Sequence, residues 1–236
     1  MHSVQVLVID IGGSHLKLAL AGRQERALFD SSPDLTPVEL IRRIRGELEE
    51  WSYDVVSIGY PGRVDAGGPT HEPGNLGNGW VAFDFEGAFG KPVRIVNDAV
   101  MQALGAFDGG RMLFLGLGTG VGSALVTEHV IVPLELGELP YGPGETLMQS
   151  LGRQAFEDRG EARWQRVIAE VVPSLQRALA ADYVVLGGGM AGQVGPLPSR
   201  TRRGGNEDAV IGGERLWREI IEPDDRKPSS FWRVVP

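Results

Sequence analysis

One pattern, used twice, constrains this chain most. Near the start, VQVLVID (residues 4–10) is followed by Gly12-Gly13 and then by HLKLALAG. From Arg111 onward, RMLFLGLGTGVGSALV repeats the theme: an apolar run, a glycine turn, a second apolar run. Short runs rich in Val, Leu and Ile predict largely buried strands. No N-cap or helical spacing follows Gly12-Gly13, so a β-hairpin is expected there rather than a strand-to-helix turn. The two halves thus carry a weak internal duplication. At 236 residues the chain can form one large domain or two small lobes around a cleft. The second glycine turn begins after Gly109-Gly110, which places the lobe boundary there: residues 1–108 as an N-terminal lobe, 109–236 as a C-terminal lobe.

The intervening segments read as an α/β chain. Residues 36–50 (TPVELIRRIRGELEE) predict an amphipathic helix, with Thr36 as N-cap, Pro37 at the first helical position and Glu39 three residues after Thr36. DVVSIGYPG is a strand ending in a turn, and residues 63–82, rich in Gly, Pro and Asn, form a long loop. KPVRIVNDA is a further strand, with a helix over 99–107. Residues 161–181 predict a helix kinked at Pro173, and ADYVVLGGGMA a buried strand running into three glycines. Residues 192–210 are expected as a loop. The tail EPDDRKPSSFWRVVP has no readable register.

Composition removes several functions. A formal net charge of −8 disfavours nucleic-acid binding, because phosphate backbones need clustered Lys and Arg. With no cysteine, neither a disulfide framework nor a thiolate zinc site can form. No apolar run approaches the roughly 20 residues needed to cross a bilayer. The start lacks a basic segment leading into a long apolar one. A cytoplasmic protein with no membrane partner is expected.

Four glycine- or carboxylate-bearing segments could carry chemistry. In DIGGSHLK, Gly12 and Gly13 allow close backbone approach to a phosphate, Ser14 offers a hydroxyl, and Asp10 can hold hydrated Mg²⁺. The same residues also suit a plain hairpin turn. In LGTGVGSA, Gly118, Thr119, Gly120 and Gly122 make a second flexible loop. It is neither a dinucleotide fingerprint nor a P-loop, since no helix and no Lys-Ser/Thr pair closes it. In IVNDAV, Asn97 and Asp98 stand at a strand end, where Asp98 could abstract a proton; an Asn-Asp pair there also suits a helix N-cap. In LGGGM, Gly187, Gly188 and Gly189 can admit a flat nucleoside or simply make a tight turn.

The ordered set DIGGSHLK, YPGRV, NLGNGW, IVNDA, LGTGVGSAL, ELGEL, LGGGM and GGNEDAVIGG resembles the ROK family of sugar kinases and repressors, especially its polyphosphate glucokinase branch. The resemblance runs from about Val4 to Gly213. It implies a two-lobed actin-like ATPase (ribonuclease H-like) α/β fold with an interlobe cleft. It also implies transfer of a phosphoryl group from ATP or polyphosphate to a hexose, with glucose 6-OH the acceptor expected. Asp98 would be the general base and Mg²⁺ the metal, held near Asp10 through water; no zinc is expected. By the same resemblance, Asp10, Gly12, Gly13, Ser14 and Lys17 form the first phosphate motif, and Gly118, Thr119 and Gly120 the second. Asn75, Asn97 and Glu135 contact the sugar, and Gly187, Gly188 and Gly189 lie on the nucleotide side. A homodimer is implied. A non-catalytic sugar or nucleotide sensor on the same fold, or a kinase for another small hydroxyl substrate, is the alternative.

Departures from the pattern bear on this expectation. The family's ExGH histidine is Glu138 here, which alters the donor and charge pattern beside the sugar. The cysteine-rich zinc motif is missing, as in polyphosphate glucokinases. The segment from Gly189 to Gly204 is short, and repressors carry an N-terminal helix-turn-helix ahead of the phosphate strand. Trp80 sits inside the sugar-loop motif and is a candidate contact. His15, and the His71-Glu72 pair, read as packing or surface residues. Arg200, Arg202 and Arg203 read as a solvated loop, with a polyanion site as the alternative.

Overall fold

The computed structural model describes residues 4–47, 51–127, 130–205, 207–218, 220–223 and 232–235. Both glycine turns do form hairpins. Strand β1 (Val6–Ile11) pairs antiparallel with β2 (His15–Leu20), which pairs with β3 (Arg26–Asp30). Helix α1 (Pro37–Glu47) follows. It starts where expected, because Thr36 Oγ1 accepts the Glu39 N–H at 3.2 Å. Strand β4 (Val55–Tyr60) then lies parallel to β1. The long loop contains a small hairpin, β5 (Val64–Asp65) with β6 (Gly68–Pro69), and leads through α2 (Phe85–Phe89) to β7 (Val93–Asn97), parallel to β4. Helix α3 (Asp98–Ala106) completes the first half.

The second half repeats the arrangement. Strands β8 (Met112–Leu117), β9 (Val121–Val126) and β10 (Val130–Leu134) form an antiparallel meander. Helices α4 (Leu147–Leu151), α5 (Arg153–Arg159) and α6 (Glu161–Ala178) lead to β11 (Tyr183–Gly187), parallel to β8. Helix α6 runs through Pro173. Strand β12 (Thr201–Arg203) adds in parallel to β11. Helix α7 (Asp208–Arg218) and strands β13 (Ile220–Pro223) and β14 (Trp232–Val235) follow. The first sheet has the order β3-β2-β1-β4-β7; the second contains the corresponding order β10-β9-β8-β11-β12, extended by β14 and β13. The duplication that is faint in sequence is therefore plain in topology.

Alternation along the central strands explains the layering. In β1, Val6 and Val8 face a core shared with α3, α7, Met112 and Phe114, while Leu7, Ile9 and Ile11 face α1 and the long loop. In β8, Met112 and Phe114 join that shared core, while Leu113, Leu115 and Leu117 pack against α4–α6. Helices α3 and α7 thus sit between the two sheets. They cross at glycines: a Cβ on Gly105 would lie 1.8 Å from the Asp208 carbonyl oxygen, and one on Gly212 would lie 1.8 Å from that of Met101. Gly212 of the AVIGG segment and Gly105 permit this close crossing, while Gly213 lets α7 approach Val8 of β1.

The structure departs from the sequence reading in places. Residues 192–210 are not all loop, since β12 and the start of α7 fall there. Strands β3 (RALFD) and β10 (VIVPL), which complete each meander, are not singled out in the sequence reading. The tail is partly outside the described residues, as are residues 48–50 of the first helix segment and Asn206.

Candidate active site

A cavity of about 530 Å³ collects residues from both halves. The carboxylates Asp10 and Asp98 stand together beside it. Asp10, near the end of β1, is 5% exposed, and its Oδ1 is buried without a hydrogen-bond partner. Its Oδ2 lies 3.8 Å from Lys17 Nζ. Burial raises the Asp10 pKa, and the neighbouring Lys17 ammonium offsets part of that rise. Asp98 opens α3. The helix starts there because the Asn97 side chain accepts N–H bonds from Ala99 and Val100 at 3.0 and 3.2 Å. The capping role thus belongs to Asn97, although Asp98 Oδ1 also accepts the Ala99 N–H at 2.8 Å.

Gly59 of β4 separates the two acids. A Cβ there would lie 3.4 Å from Asp10 Oδ1 and 3.4 Å from Asp98 Cα. What demands glycine there is Met101 of α3, whose Cε would lie 2.5 Å from that Cβ. Asp98 is partly exposed to the cavity, yet its carboxyl is pushed up to about 7, first by loss of hydration and then by the charge of Asp10. Such a group can change protonation near neutral pH.

The two glycine loops meet over this pair. A Cβ on Gly13 would lie 2.9 Å from Asn75 Nδ2 and 3.2 Å from Thr119 Oγ1. The first hairpin turn, the long loop and the second hairpin turn therefore converge at one point. Gly12, Gly13, Ser14 and Lys17 line the cavity on one side, and Gly118, Thr119 and Gly120 on the other. Glu135 and Glu138 flank a single helical turn after β10 (Leu136–Glu138 with Glu135 before it), and both reach the cavity. Glu135 is not free: Arg63 Nε approaches its Oε1 to 3.4 Å. Asn75 and Asn97 line the cavity too, and Asn97 Nδ2 donates to the Gly62 carbonyl oxygen at 3.1 Å.

One expected contact is misplaced. Gly188 and Gly189 line the cavity, but Gly187 does not. It is the last residue of β11 and packs on the Phe114 ring, with the site of its missing Cβ 2.4 Å from Phe114 Cζ. Its role is to let the strand close over that ring. Trp80 also leaves the list of sugar contacts. It is fully buried, stacks obliquely near Tyr60 and Phe85, and its Nε1 donates to the Gly77 carbonyl oxygen at 2.7 Å. Glu72 accepts the Trp80 and Val81 N–H groups and so staples the same loop. Arg202 and Arg203 are committed to structure. Arg202 bonds the Ala106 carbonyl oxygen and stacks over Tyr183, and Arg203 bonds the Ala191 and Val194 carbonyl oxygens.

The cavity also uses residues that no sequence argument singled out, among them Gln102, Met148 and Arg153. Gln102 had a signal: it lies four residues after Asp98 on one helix face. Arg153 had none, being one arginine in a polar helix.

No family model matches the chain. It is 25% identical over 206 residues to the polyphosphate glucokinase of Mycobacterium tuberculosis, a match covering 78% of this chain and 77% of that protein. Among solved structures, the inorganic polyphosphate/ATP-glucomannokinase of Arthrobacter sp. strain KM superposes with a TM-score of 0.73 at 23% identity, covering 90% of this chain and 97% of the other. The ROK family glucokinase of Streptomyces griseus, solved with glucose and AMPPNP, superposes with a TM-score of 0.73 at 15% identity, covering 91% and 99%. The chain has the fold of these sugar kinases, and its sequence is similar to that of the polyphosphate glucokinases.

Proposed function

We propose that this protein is a sugar kinase, a phosphotransferase acting on a sugar hydroxyl, and that Asp98 is its general base. The observation that carries the reading is the placement of Asp98: a carboxyl with a pKa of about 7, in a cavity facing two glycine turns. Phosphoryl transfer needs positioning and charge stabilisation more than covalent chemistry. The acceptor is a hexose, bound by Asn75, Asn97, Glu135 and Glu138, with its 6-OH directed at Asp98. Asp98 accepts the hydroxyl proton as the oxygen attacks the terminal phosphorus, and the bond to the bridging oxygen breaks, releasing ADP or a polyphosphate one unit shorter. The amides of the Gly12–Ser14 and Gly118–Gly120 turns hold the donor's phosphate oxygens, as glycine-rich turns do for anions. The donor is ATP or a polyphosphate. Both present the same terminal phosphates to these turns.

The residues present fit Mg²⁺. No cluster of three or more His, Cys, Asp or Glu that could hold a metal occurs among the described residues. Mg²⁺ needs no such cage, because it is held through one or two carboxylates, water and substrate phosphates. Asp10, with a buried oxygen lacking any partner, is the residue that would hold it. When bound, it offsets charge on the donor phosphates.

The test is a panel of hexoses incubated with ATP or with polyphosphate and read by ³¹P NMR for sugar phosphate. A new phosphomonoester signal with at least one sugar is expected. Sugar binding by calorimetry without any phosphoester product would replace this reading with that of a non-catalytic sensor.

A further inference from the structure

One cationic group in the cavity wall is left unused by this chemistry. Arg153 opens α5, and its backbone N–H donates to the Gly118 carbonyl oxygen at 2.8 Å. The residue is thereby fastened to the second glycine loop. Its side chain reaches the cavity on the side of Gly188 and Gly189, with Nη2 3.6 Å from where a Cβ on Gly189 would lie. Its Nε is buried and has no hydrogen-bond partner. No ion pair among the described residues includes it. A buried guanidinium N–H with no acceptor is costly, and in a folded protein it calls for an explanation.

The charge balance of the cavity supplies one. Its lining carries four carboxylates, Asp10, Asp98, Glu135 and Glu138, and only two strong bases, Lys17 and Arg153. Lys17 already lies beside Asp10. Arg153 is therefore the one strong base of the lining, among the described residues, with no carboxylate beside it. The other arginines that could have served, Arg202 and Arg203, are tied to backbone carbonyls.

We propose that Arg153 is a donor-binding residue whose guanidinium grips a phosphate of the donor other than the one transferred. The proposal rests on the kinase reading and deepens it. Arg153 stands on the wall of the second sheet beside Gly189, whereas Asp10 and Asp98 stand on the first sheet beside Gly59. The transferred phosphoryl group belongs near Asp98, so the guanidinium meets the chain of phosphates behind it. The planar fork of Arg matches two phosphate oxygens at once, which an ammonium cannot do. The phosphate it binds is common to ATP and to polyphosphate.

The experiment titrates tripolyphosphate, ATP and glucose separately into wild type, Arg153→Met and Arg153→Lys by calorimetry, with folding checked by circular dichroism. Arg153→Met keeps the apolar stem and removes the charge. It is expected to bind tripolyphosphate and ATP at least about tenfold more weakly, with glucose affinity unchanged, as for loss of a charge-assisted bond. Arg153→Lys should recover part of that loss and is the deciding variant if the Met form does not fold. Unchanged tripolyphosphate affinity in the variants overturns the proposal. So does an equal loss of donor and glucose binding, or a loss confined to ATP, which would assign the guanidinium to the nucleoside. Arg153-dependent tripolyphosphate binding without any sugar phosphate product would leave this site standing while removing the kinase reading. Sugar phosphorylation with an unaltered donor KM in Arg153→Met would do the reverse.

Discussion

Replacing Asp98 with Asn should stabilise the fold, and the gain should depend on pH. The Asp98 carboxyl rises from an ordinary 3.8 to about 7 on folding, because burial and Asp10 both disfavour its charge. The unfolded chain therefore loses this proton first as pH rises. By linkage, folding stability is unpenalised below the unfolded pKa, falls between that value and the folded one, and carries the full penalty above about 7. Three units correspond to about 4 kcal/mol. Asp98 faces an open cavity, and solvent screening reduces that to roughly 2 kcal/mol. The favourable interaction of the charge with the first turn of α3 is already contained in the shifted pKa and is not subtracted again. The net gain is about 2 kcal/mol at high pH. The bond from Ala99 N–H survives, since Asn keeps an Oδ1, and Asn97 still caps the helix. The assay is urea unfolding of wild type and Asp98→Asn at about pH 4.5 and about pH 8.5, on either side of most of this titration. The variant should be more stable at the higher pH and nearly equal at the lower. A variant that is less stable at the higher pH, or equally shifted at both, would refute the claim that the folded site strains this charge.

Three further outcomes follow from the same geometry. If Asp98 must be ionised to accept a proton, kcat/KM should rise about tenfold per pH unit below its pKa of about 7 and level off above it; a flat profile through this range would contradict that. Gly120→Val should weaken donor binding while leaving the melting temperature and sugar affinity unchanged, because among the described residues a Cβ there would meet only Met148 Sδ, at 3.8 Å; equal loss of both ligands by calorimetry would mark the loop as structural only. Gly212→Ala should lower stability by about 1–3 kcal/mol or more, since its Cβ would enter the Met101 carbonyl at the α3–α7 crossing; an unchanged unfolding midpoint would mean that the helices can separate without cost.

Much of the site was legible because its chemistry is local in sequence. A glycine turn after a Val-rich strand states its own geometry, and Asp98 stands at a strand end whatever surrounds it. What sequence could not give was direction. Trp80 belongs to the sugar-loop segment, yet its ring turns into the core against Tyr60, since burying an indole outweighs exposing it to a ligand cavity. Gly187 belongs to a glycine triplet, yet only the residues beyond the strand end reach the cavity. Strand β12 was hidden because three residues, two of them Arg, are held by the β11 ladder rather than by an apolar pattern. Arg153 was hidden for the opposite reason: its importance comes from a buried N–H without a partner, which exists only once α5 is docked on the Gly118 loop. The fold as a whole was readable through its repeat, although β3 escaped notice because its three apolar residues are flanked by Arg26 and Asp30 and are only partly buried.

Asp98 is proposed to take the proton from the sugar hydroxyl. The measurement that tests it most directly compares wild type with Asp98→Asn for the rate of sugar phosphate formation at saturating sugar and donor, after calorimetry has established that the variant binds both. Retained binding with transfer slowed about 10²–10⁴-fold, the range for loss of a general base, is expected. A variant that binds both ligands and turns over within a few-fold of wild type would contradict it.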